Sequence, residues 1–139
     1  MIRVLVVEER QAVRDGFRRL LAAAGEITVI GEAALCGDGI EVARRVDCDL
    51  LVVGLGQGCD GVDKLRQLKH ALPGLHVLAV GSAAGTAVAL ETIVEGASGY
   101  LDMSRAREDL VKAVRAVCRG TVFVSAATRE PRGGPASAA

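Results

Sequence analysis

Short runs of β-branched and aliphatic residues alternate along the chain with segments in which apolar residues recur every three to four positions. The first run extends from Ile2 to Val7, and a later run from Leu50 to Val53 is wholly apolar. Continuous apolar runs of this length indicate parallel strands buried on both faces. Between them, Phe17, Leu20 and Leu21 recur at helical spacing and predict an amphipathic helix. The same pattern repeats to near the end of the chain.

Five such β/α units in succession predict an α/β fold, a parallel sheet with helices on both faces. The other predicted strands are Ile27 to Ala33, Leu75 to Val80, and Ser98 to Leu101. Right-handed crossovers favour the flavodoxin-like (CheY-like) five-stranded order 2-1-3-4-5. Ligands and chemistry then gather where the first and third strands end. Ser104 follows the fifth strand and is predicted to cap the fifth helix.

Composition narrows the class of protein. The chain has 139 residues, half of them apolar, which suits one domain. Seventeen basic residues balance seventeen acidic ones, so no electrostatic footprint for nucleic acid is present. Neither a membrane span nor a signal peptide is indicated, and we expect a cytoplasmic protein. No C-x-x-C pair occurs, so neither a metal site, a disulfide framework nor a cofactor is predicted from the four cysteines, Cys36, Cys48, Cys59 and Cys118.

The pattern changes after Gly120. Residues 121–125 form a brief extended segment, and residues 129–139 are rich in Pro, Gly, Ser and Ala. Such composition does not supply the apolar surface that a packed domain needs. We therefore divide the chain into a folded domain, residues 1–120, and the start of a linker or disordered tail, residues 121–139.

Several motifs, in their order and spacing, resemble response-regulator receiver domains, specifically those of NarL/FixJ-type transcription factors. The resemblance extends from Met1 to about Ser125 and is most distinctive at Glu95 to Leu101. The other segments that carry it are Ile2 to Glu9 with Val13, Arg14 and Gly16, then Val29 to Ala33, and Asp60 with Gly61.

The resemblance implies a phosphorylation pocket made of five groups. In that family two acidic residues after the first strand hold Mg²⁺, which needs oxygen ligands. An aspartate that ends the third strand accepts the phosphoryl group. A Thr or Ser after the fourth strand and a Lys after the fifth contact the phosphoryl oxygens, whose charge must be neutralised.

This chain departs from that pattern at every position. The acidic pair is Glu8 and Glu9, each longer by one methylene than aspartate. The acceptor position is Gly54, which has no side chain and so no nucleophile. The hydroxyl position is Gly81, with Ser82 one residue further on. The lysine position is Met103. We therefore predict that aspartate phosphorylation is lost and that no metal is held.

Two positions beside this pocket allow more than one interpretation. Arg10 is the nearest cation in sequence, and it either neutralises one of Glu8 and Glu9 or leaves both carboxylates facing solvent. Tyr100 lies where receivers carry their switch aromatic. Because no phosphate can draw a hydroxyl inward here, we interpret Tyr100 as a fixed packing residue.

A glycine-rich loop follows the third strand and suggests two alternatives. Residues 56–61 form a G-x-G-x-x-G pattern, and the residues concerned are Gly56, Gly58, Asp60 and Gly61. The pattern follows the wrong strand for a dinucleotide site. A small-molecule effector in the glycine-lined crevice between the first and third strands is one alternative. A flavodoxin-like oxidoreductase is a second and weaker one.

The function that the sequence predicts is regulatory and not enzymatic. We expect the phosphorylation-independent receiver of an atypical, bacterial response regulator, acting in transcription through protein–protein contacts, including homo- or heterodimerisation. In the family that it resembles, DNA is bound by a C-terminal helix-turn-helix. This sequence ends where the linker would begin, so we expect that module to follow in the full protein, with a stand-alone receiver as the alternative.

Overall fold

One parallel sheet forms the centre of the molecule. The structure is a computed structural model that describes residues 1–56, 60–82 and 86–125. Within these residues, six strands pair in the order β2-β1-β3-β4-β5-β6. The strands are β1 (Ile2–Val7), β2 (Ile27–Ala33), β3 (Leu50–Gly56), β4 (His76–Gly81), β5 (Gly99–Asp102) and β6 (Phe123–Ser125). The predicted α/β fold class and the order of the first five strands are confirmed.

Helices cover both faces of this sheet. Those in the described residues are α1 (Gln11–Ala22), α2 (Cys36–Arg45), α3 (Asp60–Ala71), α4 (Thr86–Val94) and α5 (Ala106–Cys118). One apolar cluster lies under α1 and α5, and a second lies under α2, α3 and α4. Among the described residues, no helix has the length and apolar character needed to cross a bilayer.

The alternation of side chains along β1 explains why that strand is apolar from Val4 to Val7. Val4 and Val6 join the cluster under α1 and α5, whereas Leu5 and Val7 join the opposite one. Successive side chains of a strand point to opposite faces, so the part of a central strand that is covered on both faces must be apolar at every position, whereas Arg3 near the start of β1 is exposed. Tyr100 of β5 belongs to the cluster under α2, α3 and α4.

The sixth strand is a difference from the predicted five. Residues 123–125, which the sequence assigned to the linker, pair in parallel with β5, Phe123 opposite Gly99 and Ser125 opposite Leu101. Phe123 also packs against the cluster under α1 and α5. A short extended segment had no periodicity to mark it as part of the sheet. The division at residue 120 stays a prediction, and residues 126–139 lie outside the described part.

The predicted cap of the fifth helix is also wrong. A 3₁₀ turn, Met103–Arg105, precedes α5, so Ser104 lies inside that turn and Arg105 takes the N-cap position of α5. Asp102 caps the turn instead. Its carboxylate accepts a hydrogen bond from the Ser104 backbone N–H at 3.0 Å and another from the Ser104 hydroxyl.

Candidate functional site

The ends of β1 and β3 bring together two residues of the predicted pocket. Val7 pairs with Val53, so the following residues, Glu8 and Gly54, are neighbours at the carboxyl edge of the sheet. Glu8 is only 2% exposed. A Cβ placed on Gly54 would lie 2.9 Å from Glu8 Cδ and closer still to Glu8 Oε1. The Glu8 carboxylate therefore occupies the space that any side chain at position 54 would need.

Arg10 holds the Glu8 carboxylate in this place. The Arg10 backbone N–H donates to Glu8 Oε2 at 2.5 Å, its Nε donates to the same oxygen at 3.2 Å, and its Nη2 donates to Oε1 at 3.3 Å. These hydrogen bonds and the charge of Glu8 raise the pKa of Arg10. A buried carboxylate is costly unless it is paired and hydrogen-bonded, and here both oxygens are engaged.

The sequence left two interpretations of the acidic pair: either Arg10 neutralises one carboxylate, or both carboxylates face solvent. Glu8 is buried and paired with Arg10, as the neutralisation alternative expects. Glu9 is exposed. Arg14 from α1 donates from Nη1 to the main-chain oxygen of Glu8 at 2.6 Å and of Glu9 at 3.2 Å. The turn after β1 is thereby fastened to α1.

Tyr100 fills the space beside Gly81 in the same way. A Cβ on Gly81 would lie 2.7 Å from the Tyr100 hydroxyl oxygen and 3.2 Å from its Cε1. Tyr100 is fully buried, and burial, with a smaller contribution from the charge of Asp102, raises the pKa of its phenol to about 12. The phenol is thus protonated at neutral pH. Its inward position is observed, while its role as a fixed packing residue stays a prediction.

Ser82 and Met103 supply neither the hydroxyl nor the cation of the family pattern. Ser82 is exposed. Met103 packs against the apolar cluster under α1 and α5, and it borders a groove between those helices together with Phe17 and Arg107. Its thioether carries no charge.

The Mg²⁺ that the resemblance would imply does not fit these residues. Both Glu8 oxygens accept hydrogen bonds from Arg10, and Gly54 offers no side-chain ligand. Over the part of the chain that the structure describes, no cluster of three or more His, Cys, Asp or Glu side chains is arranged to hold a metal ion. We derive no step through a metal.

Lys64 is a cation near the site that sequence reasoning missed. It lies on α3, and its Nζ would be 3.5 Å from a Cβ on Gly56, a residue with φ of +73°. With Glu9, Cys36 and Gly54 it borders a cavity of only about 30 Å³. Nothing in the helical pattern of α3 distinguishes Lys64 from an ordinary surface lysine, so no sequence signal indicated this placement.

The glycine-rich loop is only partly described. Gly56 ends β3, Asp60 begins α3, and Gly61 packs so closely on Leu55 that an added Cβ would lie 2.9 Å from Leu55 Cβ. Gly58 and Cys59 lie outside the described residues. One alternative from the sequence placed a small-molecule ligand in the crevice between β1 and β3. The Glu8 carboxylate fills that crevice beside Gly54, and this alternative is therefore corrected.

Comparison with known proteins places the chain in a family. The family described as the response regulator receiver domain matches residues 4–115. The chain belongs to this family. This receiver is 29% identical over 126 residues to the response regulator GacA of Pseudomonas aeruginosa, covering 90% of this chain and 59% of GacA. It is 29% identical over 125 residues to the nitrate/nitrite response regulator NarL of Escherichia coli K12, covering 89% of this chain and 58% of NarL. This receiver thus spans less than two thirds of these curated relatives.

Solved structures agree with this assignment. A LuxR-family two-component response regulator from Aurantimonas sp. SI85-9A1 is 30% identical, with a TM-score of 0.79 over 87% of each chain. The isolated REC domain of RcsB from Salmonella enterica serovar Typhimurium has a TM-score of 0.82 at 22% identity, covering 90% of this receiver and 93% of that chain. The second likeness shows the fold alone. The predicted NarL-type receiver is confirmed, and neither the oxidoreductase nor the ligand-sensing alternative is favoured.

Proposed function

We propose that this domain is a receiver whose state does not depend on aspartate phosphorylation, and that it regulates transcription through protein–protein contacts. One observation carries the proposal: position 54 has no side chain, and the carboxylate of Glu8 fills the space beside it. No nucleophile is available at the end of β3. A phosphoryl donor in line with that strand end meets no acceptor, and phosphoryl transfer depends on such positioning.

Three further features support the proposal. Glu8 is hydrogen-bonded through both oxygens to Arg10, which leaves it badly placed to attack a phosphoryl donor. The lysine position is Met103, whose side chain packs with the core. The Tyr100 phenol already stands where a hydroxyl side chain at position 81 would be. In this proposal the pocket is filled from within, and no phosphoryl group is needed to draw Tyr100 inward.

The proposal also covers how the full protein would bind DNA. The curated relatives are longer than this chain, and one solved structure contains two RcsB dimers bound to two parallel DNAs. We propose that a C-terminal DNA-binding module continues from this receiver and that the receiver sets its oligomeric state by dimerisation. The balanced charge of the chain supports assigning DNA contact to that other module. Action at promoters would place the protein in the cytoplasm.

The decisive experiment treats the purified chain with acetyl phosphate and Mg²⁺ and measures its intact mass. We expect no phosphoryl adduct on the wild-type chain. A matched variant, Glu8→Asp/Gly54→Asp/Met103→Lys, reinstates an acceptor and a cation, and the shorter side chain at position 8 makes room for the new carboxylate. That variant is expected to gain an adduct that mild base removes.

Two results would contradict the proposal. The first is a stoichiometric, base-labile phosphoryl adduct on the wild-type chain, wherever peptide mapping locates it. The second is a change in sedimentation of the wild-type chain on treatment with acetyl phosphate, because a phosphorylation-independent receiver keeps the same oligomeric state with and without the donor.

A further inference from the structure

A cavity lies between α3 and α4, on the opposite side of β3 from the filled crevice. Its volume is about 490 Å³, and among the described residues its apolar walls are formed by Leu55, Val62 and Val88. Small-molecule sites in proteins span about 300–1,000 Å³ and are mostly apolar. The cavity therefore has the size and the lining of a ligand site, whereas the cavity beside Gly54 holds only about 30 Å³.

The floor of this cavity contains two glycines that are covered by neighbouring side chains. Gly81 and Tyr100 both border it, and a side chain at position 81 is excluded by the Tyr100 hydroxyl, 2.7 Å from the position of a Cβ. Gly61 forms another part of the lining. Tyr100 occupies the space beside Gly81 and Leu55 the space beside Gly61, so the floor of the cavity is closed by these two side chains.

The charges at the rim are predominantly acidic. Arg66 is already engaged, because its Nε and Nη2 donate to Glu95 at 3.0 and 3.1 Å and its Nη1 donates to Asp63 at 2.9 Å. Glu91 on α4 also borders the cavity and is exposed. Within the described residues it has no ion pair. A ligand that enters beside Glu91 is favoured if it carries a positive group.

We propose that the cavity between α3 and α4 binds a small molecule with an apolar body and an amine cation, the apolar body against Val62 and Val88 and the cation beside Glu91. The site adjoins the filled phosphorylation pocket and shares Gly81 and Tyr100 with it, but binding of a ligand there goes beyond the function proposed above. Exposed ion pairs are weak, so the apolar body supplies most of the affinity and the cation supplies selectivity. Because Val88 and Glu91 belong to α4, a bound ligand stabilises one position of this helix against the sheet.

The test uses three probes that share an indole ring and differ in charge: the cation tryptamine, neutral indole and the anion indole-3-propionate. Binding to the purified chain is measured by calorimetry, and its location by amide shifts in a ¹⁵N-labelled sample, where the signals of Gly61 and Gly81 report on the cavity. We expect tryptamine to bind most tightly and indole-3-propionate least, with shifts at both glycines. Val88→Trp fills the cavity and is expected to abolish binding of all three.

A second variant keeps the test independent of cavity filling. Glu91→Gln changes an exposed side chain and is expected to weaken tryptamine about threefold while leaving indole unchanged. Glu41→Gln, an exposed acid on α2, is the matched control and is expected to alter neither. No saturable binding of tryptamine at millimolar concentration, a preference for indole-3-propionate, or an unchanged affinity in Glu91→Gln would overturn the proposal. None of these results bears on phosphorylation, which the acetyl phosphate experiment tests alone.

Discussion

Replacing Gly54 by alanine places a methyl group in the space that the Glu8 carboxylate occupies. The new Cβ would lie 2.9 Å from Glu8 Cδ and 3.4 Å from Glu8 Cβ, so the glutamate must move as a whole. Glu8 cannot simply turn away, because it is 2% exposed and its backbone hydrogen bond from Arg10 is 2.5 Å long. Gly54 does not have a positive φ, so alanine meets no conformational obstacle and the effect is steric.

The expected cost can be worked from these contacts. Overpacking a well-packed site costs about 1–3 kcal/mol, and hydrogen bonds to a charged group contribute about 1.5–3 kcal/mol. Since Arg10 is half exposed and can follow the moved carboxylate in part, we expect Gly54→Ala to lower the free energy of unfolding by about 2 kcal/mol. Urea unfolding followed by far-UV circular dichroism measures this directly.

A double-mutant cycle shows whether the clash with Glu8 is the cause. In a Glu8→Ala background the clash is gone, so Gly54→Ala should cost much less there, giving a coupling energy of about 1–2 kcal/mol between the two sites. Gly16→Ala is the control, because a Cβ at Gly16 would meet nothing within 4 Å and alanine is favoured over glycine in a helix. The reasoning is refuted if Gly54→Ala is neutral, or if its cost is the same with and without Glu8.

Three other predictions follow from single contacts. Tyr100 is the sole tyrosine of a chain without tryptophan, so the absorbance of ionised tyrosine should titrate near pH 12 in the folded protein against 10.0 for an ordinary tyrosine. The folded state favours the protonated phenol, so about 3 kcal/mol of the free energy of unfolding should be lost between pH 10 and 12. Tyr100→Phe should remove this loss. Equal midpoints of the tyrosine titration for the folded chain in buffer and the unfolded chain in urea would contradict the burial. Arg10→Ala should destabilise the fold by about 1–2 kcal/mol, since of the three hydrogen bonds from Arg10 the Glu8 carboxylate keeps only the one from the backbone N–H of residue 10. Arg19→Ala, at an exposed site on α1, is the control and should be neutral. Equal stability of the two variants would argue against the Glu8–Arg10 pair. Gly99→Ala would place a Cβ 2.9 Å from the Phe123 carbonyl oxygen, so it should speed amide exchange along β6, and unchanged exchange there would count against that close approach.

The alternation of strands and helices could be read from the sequence because it rests on local periodicity. A central strand is apolar on both faces where helices cover it, as at Val4 to Val7 of β1, and this requirement leaves a continuous run in the sequence. The same logic failed at Phe123–Ser125, where three residues are too few to show any period. The edge strand exists because it lies beside β5, and that neighbour is supplied by the fold.

The absence of a carboxylate at position 54 is a property of the sequence itself, since glycine has no side chain in any conformation. The sequence does not show which group occupies the space beside Gly54. Glu8 and Gly54 are far apart along the chain and meet only because β1 and β3 pair in parallel. The burial of one carboxylate of the acidic pair, its bonds to Arg10, and the phenol of Tyr100 beside Gly81 all depend on the space between packed strands, and tertiary structure alone decides that space.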